Sequence, residues 1–268
     1  MAANDSSGNG EIVLACIEEK FFQKEVLIEQ HALVKILSGE MRVVQADKPH
    51  FFNAGDIVLF PRNTLTTVTK CPKDDRPYRS VLLYISADQL QRFYAKNEYN
   101  AKGSYDPQLR IYSANLLFES FFSSLIPYLE LTSELPDEIV SIKIEEAISV
   151  LRNVDPGTDN LLGNFNHPGK LNLMDFMQKN YMFNLTLDKF CYLTGRSLTT
   201  FKKDFKKAFG TTPQRWLTSK RLDLAHHELK RKGRKPIEVY FEVGFENLSH
   251  FSYAFKKQFG YSPSDIPA

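Results

Sequence analysis

The chain has 268 residues, 43% hydrophobic and 25% charged, a composition ordinary for a globular protein with room for two cores. No apolar run approaches the roughly 18–20 residues a membrane helix needs, and three scattered cysteines (Cys16, Cys71, Cys191) fit neither a disulfide framework nor a zinc spacing. The net charge of +2 hides an asymmetry: residues 170–268 hold 18 Lys/Arg against 9 Asp/Glu, whereas residues 1–169 hold 16 against 23. A basic C-terminal third on an acidic body points toward a polyanionic partner.

The opening "MAANDSSGNGEIVL" is polar and has no basic flank ahead of an apolar stretch, so no secretory signal and a cytoplasmic location are expected. From about residue 11 to 86 the chain reads as short β-segments. "ALVKILSGEMRVVQ" turns at Gly39, "ADKPHFFNAGDIVLFPRN" places turn formers around short apolar runs, and "YRSVLLYIS" is β-branched and aromatic up to Ser86. Short strands with frequent turns predict an antiparallel sandwich or barrel. Phe51, Phe52, Val58, Phe60, Val81, Leu83 and Tyr84 are its expected core.

After Ser86, itself a candidate N-cap, the period becomes helical. Leu116, Leu117, Phe121, Leu125 and Leu129, then Ile142, Ile144, Ala147, Ile148 and Leu151, recur at helical spacing. Pro127 and Pro136 are expected to divide the region, with a last helix near 137–152. An exposed apolar stripe here would serve a dimer. "NVDPGTDNLLGNFNHPGK" reads as the interdomain linker, placing one domain at 11–155, a linker at 156–170 and a helical domain at 171–268.

Within the helical domain a pattern repeats. In "LDKFCYLTGRSLTTFKKDFKKAF" (187–209), Cys191 and Gly195 have the spacing of a helix-turn-helix crossing and turn, and Ser197 caps the second helix. In "PIEVYFEVGFENLSHFSYAFKKQF" (236–259), Pro236 opens a helix, Gly244 makes the turn and Asn247 caps. The apolar stripe Leu198, Phe201, Phe205, Phe209 returns as Leu248, Phe251, Phe255, Phe259, 50 residues on, while the turn glycines are 49 apart, so the second turn is one residue longer. Between them, "PQRWLTSKRLDLAHHELKRKGRKP" reads as one helix stopped at Gly233. The plain alternative is a bundle of six or seven helices whose lysines are merely solvated and favour the helix C-termini.

Residues 171–266 resemble the AraC/XylS family of bacterial transcription regulators, most specifically in "VYFEVGFENLSHFSYAFKKQFGYSP" and "RLDLAHHEL". "SLTTFKKDF", with the strand-then-helix N-terminal half, looks most like the branch of type III secretion activators. Cys191 and Tyr240 depart from the family, which usually has Ala at both; Tyr240 must tilt its helix or pack at its edge. The resemblance implies base reading by Thr199, Lys202 and Lys203 in the first unit and by Ser249, Ser252 and Tyr253 in the second. Lys206, His250 and Lys256 are implied as phosphate or flanking contacts.

"LSGEMRVVQ" followed by "NAGDIVLFPRN" resembles the cupin-type barrel that often precedes this domain. The His-x-His pair and the ligands of metal-dependent cupins are missing, and His31 and His50 stand alone, so neither a metal, a cofactor nor catalysis is expected. The fold expected is α+β: a cupin-like barrel with appended helices, then an all-α domain of two helix-turn-helix units. The expected partners are promoter DNA, a second copy of the chain, RNA polymerase for an activator, and a small-molecule or protein effector, with no membrane. A cupin-type enzyme or ligand-binding protein with a vestigial DNA module, and a helical repeat that binds protein, remain the alternatives.

Overall fold

The computed structural model describes residues 11–17, 22–45, 48–99, 107–112, 115–131, 135–165 and 169–266. The chain divides into two compact units, residues 1–165 and 166–268.

In the first unit the expected β-region forms strands β1 (Ile12–Ile17), β2 (Phe22–Ile28), β3 (His31–Ser38), β4 (Glu40–Gln45), β5 (Lys48–Asn53), β6 (Ile57–Phe60), β7 (Thr64–Cys71) and β8 (Tyr78–Ile85), joined by β9 (Arg110–Tyr112). They make two antiparallel sheets, one ordered β1-β8-β3-β6-β9 and the other β2-β7-β4-β5. The helices are α1 (Ala87–Lys96), α2 (Leu116–Leu131), α3 (Asp137–Val154) and α4 (Thr158–Leu162).

Alternation along β3 shows how the layers stack. Ala32, Val34 and Ile36 join Met41, Val43, Phe52 and Val68 in a core shared by both sheets. Leu33 faces the other way, with Ile57, Leu59, Val81 and Leu83, into a second core closed by Phe118, Phe121, Phe122, Leu125, Ile144, Ile148 and Leu151 of α2 and α3. The five-stranded sheet is therefore buried on both faces, which is why β3 and β6 carry nearly continuous apolar runs.

Several expectations shift. Phe52, Val58, Phe60, Val81 and Leu83 are core, but Phe51 is 59% exposed and lies under the Arg42 guanidinium on the outer face. Period-2 geometry allows only one of two adjacent phenylalanines to face inward. Leu116, Leu117 and Ile142 are exposed, and the buried stripe of α2 runs through Phe118, Phe121, Phe122 and Leu125 instead. Pro127 lies inside α2 rather than dividing it. Its missing N–H would have served the carbonyl of Ser123, and both residues are exposed, so water can satisfy that carbonyl. Pro136 stands at the N-cap of α3.

Ser86 caps α1 in a reciprocal box: its hydroxyl accepts from Gln89 N–H at 3.2 Å, and Gln89 Oε1 accepts from Ser86 N–H at 2.8 Å. Part of the stretch that composition marks as linker is helix α4, because Leu161 and Leu162 are fully buried in the first unit. Asp159 of α4 accepts two bonds from Arg152, at 2.7 and 3.0 Å, and one from Tyr94 Oη at 2.7 Å, which ties α4 to α3 and α1.

The second unit is helical: α5 (Leu173–Asn180), α6 (Leu187–Leu193), α7 (Leu198–Phe209), α8 (Pro213–Lys232), α9 (Pro236–Glu242) and α10 (Leu248–Phe259). Around α8 it carries two separate apolar clusters. One holds Phe190, Cys191, Phe201, Phe205 and Leu217; the other holds Leu222, Ala225, Val239, Val243, Phe251 and Phe255. Aromatic rings of α8 cover both α7 and α10. Trp216 packs on Phe205 and Phe209 with centroids 5.6 and 4.6 Å away, and His226 packs on Phe255 and Phe259 at 6.1 and 4.7 Å.

Candidate nucleic-acid interface

Each helix-turn-helix is built by local bonds that repeat. At the first turn the N–H of Arg196 donates to the Cys191 carbonyl at 2.9 Å, and that of Gly195 to Tyr192 at 3.0 Å. At the second turn Phe245 donates to Tyr240 and Gly244 to Phe241, both at 3.0 Å. Gly195 and Gly244 sit at φ of 62° and 86°, in the left-handed region that ends a helix without a Cβ clash. The second turn then takes one extra residue before its cap. Ser197 Oγ accepts from Thr200 N–H at 3.3 Å, whereas Asn247 Oδ1 accepts from Ser249 and His250 N–H at 2.8 and 3.1 Å. The following helices have equal length, α7 and α10, and close on Gly210 and Gly260, whose N–H groups reach Lys206 and Lys256 carbonyls at 3.0 and 2.8 Å.

The outward faces of these two helices carry every residue singled out above. On α7, Thr199, Lys202, Lys203 and Lys206 are exposed, beside Thr200 and Lys207. On α10, Ser249, His250, Tyr253 and Lys256 are exposed, Tyr253 to 68%, while Ser252 is half-buried. Buried Phe201 and Phe205, and Phe251 and Phe255, hold the opposite faces. Leu198 departs from its stripe, being 39% exposed.

The single acid of α7, Asp204, accepts from Arg196 Nε at 3.1 Å and pairs with Lys170 at 3.5 Å. These contacts, Arg196 first, hold its carboxyl below the usual carboxylate range. Its charge is thereby matched from its own unit, and the α7 lysines stay available to an anion. No acid occurs in α10. Both faces are therefore equipped to meet phosphates and base edges together.

The two departures at the crossing positions resolve differently. Cys191 is buried, with its thiol raised above its ordinary range by desolvation, and acts as a small packing group. Tyr240 is half-buried at the edge of the second cluster, beside Phe241 at 6.4 Å, and the turn bond to its carbonyl is intact.

Two family models match this chain: one described as a helix-turn-helix domain over residues 191–267, and one described as the ExsA N-terminal regulatory domain over residues 31–155. The chain belongs to the AraC/XylS family of transcription regulators. Similar AraC-type proteins include the virulence regulon transcriptional activator VirF of Yersinia enterocolitica, 24% identical over 249 residues that cover 90% of each chain. The HTH-type transcriptional regulator ExsA of Pseudomonas aeruginosa is 25% identical over 243 residues, 88% of this chain and 85% of that one. Among solved structures, apo ToxT from Vibrio cholerae matches at 15% identity with a TM-score of 0.49, covering 96% of this chain and 97% of that one.

One contributor to this AraC-type domain escaped the sequence reading. Arg221 lies on the buried stripe of α8, four residues from Leu217 and from Ala225, where a charged residue is out of pattern. That irregularity was the available signal.

Proposed function

We propose that this AraC-type regulator binds promoter DNA by laying α7 and α10 into successive major-groove segments, and that it acts there as an activator, the role that VirF carries in its name. The observation that carries the reading is the duplicated turn-and-cap geometry, each copy presenting a polar, acid-free or acid-neutralised face on a phenylalanine-backed helix.

In this reading Thr199, Lys202 and Lys203 read one half-site, and Ser249, Ser252 and Tyr253 read the other. Lysine donates to guanine O6 and N7, hydroxyls serve several base edges, and the Tyr253 ring touches a thymine methyl. Lys206, His250 and Lys256 hold phosphates, which positions the protein without reading sequence. The duplicated positions that differ between the copies (Lys202 against Ser252, Lys203 against Tyr253) make the two half-sites different in sequence.

The first unit is regulatory. It takes a small-molecule or protein effector and pairs two copies through the helices of about residues 110–152, where Ile111, Leu116, Leu117 and Ile142 are exposed. Its partner in transcription is RNA polymerase, and its place is the cytoplasm. In this division residues 11–165, α4 included, make the regulatory part and 171–268 the DNA-binding part. Among the described residues no helix is long and apolar enough to cross a membrane.

Selection of bound DNA from a random pool with the full-length protein tests the proposal. It returns two short, dissimilar motifs about one helical turn, ~34 Å, apart. A pool that stays random, with binding insensitive to salt, would leave the helical repeat as a protein-binding module.

A further inference from the structure

The two helix-turn-helix units have separate apolar clusters, so burial alone leaves their relative placement to α8 and to polar ties between them. Between them lies a groove of about 580 Å³, walled by Asn184 and Leu185 on one side, Glu246 and His250 on the other, with Arg221 of α8 among its lining residues. The Arg221 side chain spans both units. Its Nε donates to the Tyr181 carbonyl at 3.1 Å, its Nη2 to the Phe183 carbonyl at 2.8 Å, and its Nη1 to the Gly244 carbonyl at 3.0 Å. Tyr181 and Phe183 belong to the connection entering the first helix-turn-helix, and Gly244 is the turn of the second.

Guanidinium suits this task because its donors form a rigid planar fork that fixes direction as well as distance. Gly244 makes the approach feasible: a Cβ there would stand 2.8 Å from both the guanidinium carbon and Nε of Arg221. The same glycine thus ends a helix and admits the tie. A second, exposed link, Asn184 Nδ2 to Glu246 at 3.5 Å, is at the limit of a hydrogen bond and holds little.

We propose that Arg221 is a positioning residue for DNA recognition. By bonding the turn of the second unit to the entry of the first, it sets the separation of the two reading helices and hence the half-site spacing the protein accepts. This rests on the DNA-binding reading above. Two reading helices on one duplex must match its helical repeat, so a fixed separation becomes a spacing preference.

The test uses the full-length protein and duplexes carrying both selected motifs, with the spacer between them shortened or lengthened by one or two base pairs. The readout is the ratio of affinities between the best spacing and each altered one, within one protein preparation. A reduced folded fraction scales every affinity alike and leaves that ratio untouched.

Wild type should discriminate by about tenfold or more, and both Arg221→Met and Arg221→Lys should fall to about threefold or less, with base preferences inside each motif unchanged. The lysine variant keeps the charge but loses the fork, so its failure to rescue identifies geometry as the cause. An unchanged ratio in both variants overturns the inference. So does rescue by lysine, or an equal loss of affinity at every spacing, which marks a merely structural role. Wild-type protein with no sequence preference at all would instead sink the DNA-binding reading.

Discussion

The N–H of Phe245 donates to the carbonyl of Tyr240 at 3.0 Å, which reproduces at the second turn the bond that Arg196 makes to Cys191 at the first. The tyrosine at the crossing position therefore leaves the turn intact, its ring half-buried at the edge of the second cluster. Tyr240→Ala should cost about 1–2 kcal/mol of stability through lost packing while the second half-site keeps its base preference. Thermal melting and competition between half-site variants check this. Lost preference in the second motif alone would make the ring, not the turn, responsible for seating α10.

Gly244 and Gly260 share a φ of +86°, but a Cβ at Gly260 meets open space. Gly260→Ala should cost the left-handed backbone penalty alone, about 1–2 kcal/mol. Gly244→Ala should cost about 1–3 kcal/mol more, because the Arg221 guanidinium must leave its carbonyl partners. Urea unfolding of the two variants measures the difference. Equal losses would mean that Arg221 relocates freely.

Lys203→Ala should relax base preference in the first half-site by about 1–3 kcal/mol at one position. Lys256→Ala should weaken binding to all sequences and lower the salt slope by about one. Salt titrations on matched and mismatched duplexes separate the two effects. A uniform loss for Lys203→Ala would remove it from the readers.

His31 is buried in β3, where its Nδ1 accepts from Arg62 N–H at 3.2 Å. Desolvation first, then the Arg62 charge, pushes its pKa down to about 3. The unfolded chain, with an ordinary histidine, binds a proton that the folded unit refuses between those values. Stability from this group is full above about pH 6.5 and falls toward pH 3, by up to about 1.4 kcal/mol per unit. Melts followed at acid pH should show the loss by circular dichroism, and His31→Asn, which keeps an acceptor but no titration, should flatten it. The only tryptophan, Trp216, lies in the second unit, so its fluorescence should lag behind.

If the exposed apolar residues of α2 and α3 pair two copies, Leu116→Glu or Ile142→Glu should shift the protein toward monomer in sedimentation while its circular dichroism stays that of the folded chain, because both side chains are exposed in the single chain. An unshifted dimer would place the interface elsewhere.

How much of this was legible depended on range. The recognition helices, their caps at Ser197 and Asn247, the closing glycines and the longer second turn were readable because each rests on bonds that close within about five residues. The candidate site was equally legible as a face, since a helical period assigns Lys203 or Tyr253 outward once Phe201 or Phe251 is inward. Short β9, the burial of Phe118 and Phe122 in place of Leu116, and the exposure of Phe51 were not. Sheet order and strand pairing choose among faces that a local pattern leaves equivalent.

The sequence by itself determined two helix-turn-helix units with different outward faces behind a β-rich partner, because periodicity, capping and left-handed glycines act locally. Only the tertiary structure decided that the first sheet is covered on both sides and that Pro127 can ride on the solvent face of α2. It also decided that one arginine of α8 gathers carbonyls lying 40, 38 and 23 residues away. Such bonds leave only an out-of-pattern charge in the sequence: an arginine in a helix names its donors, and the fold alone supplies the acceptors.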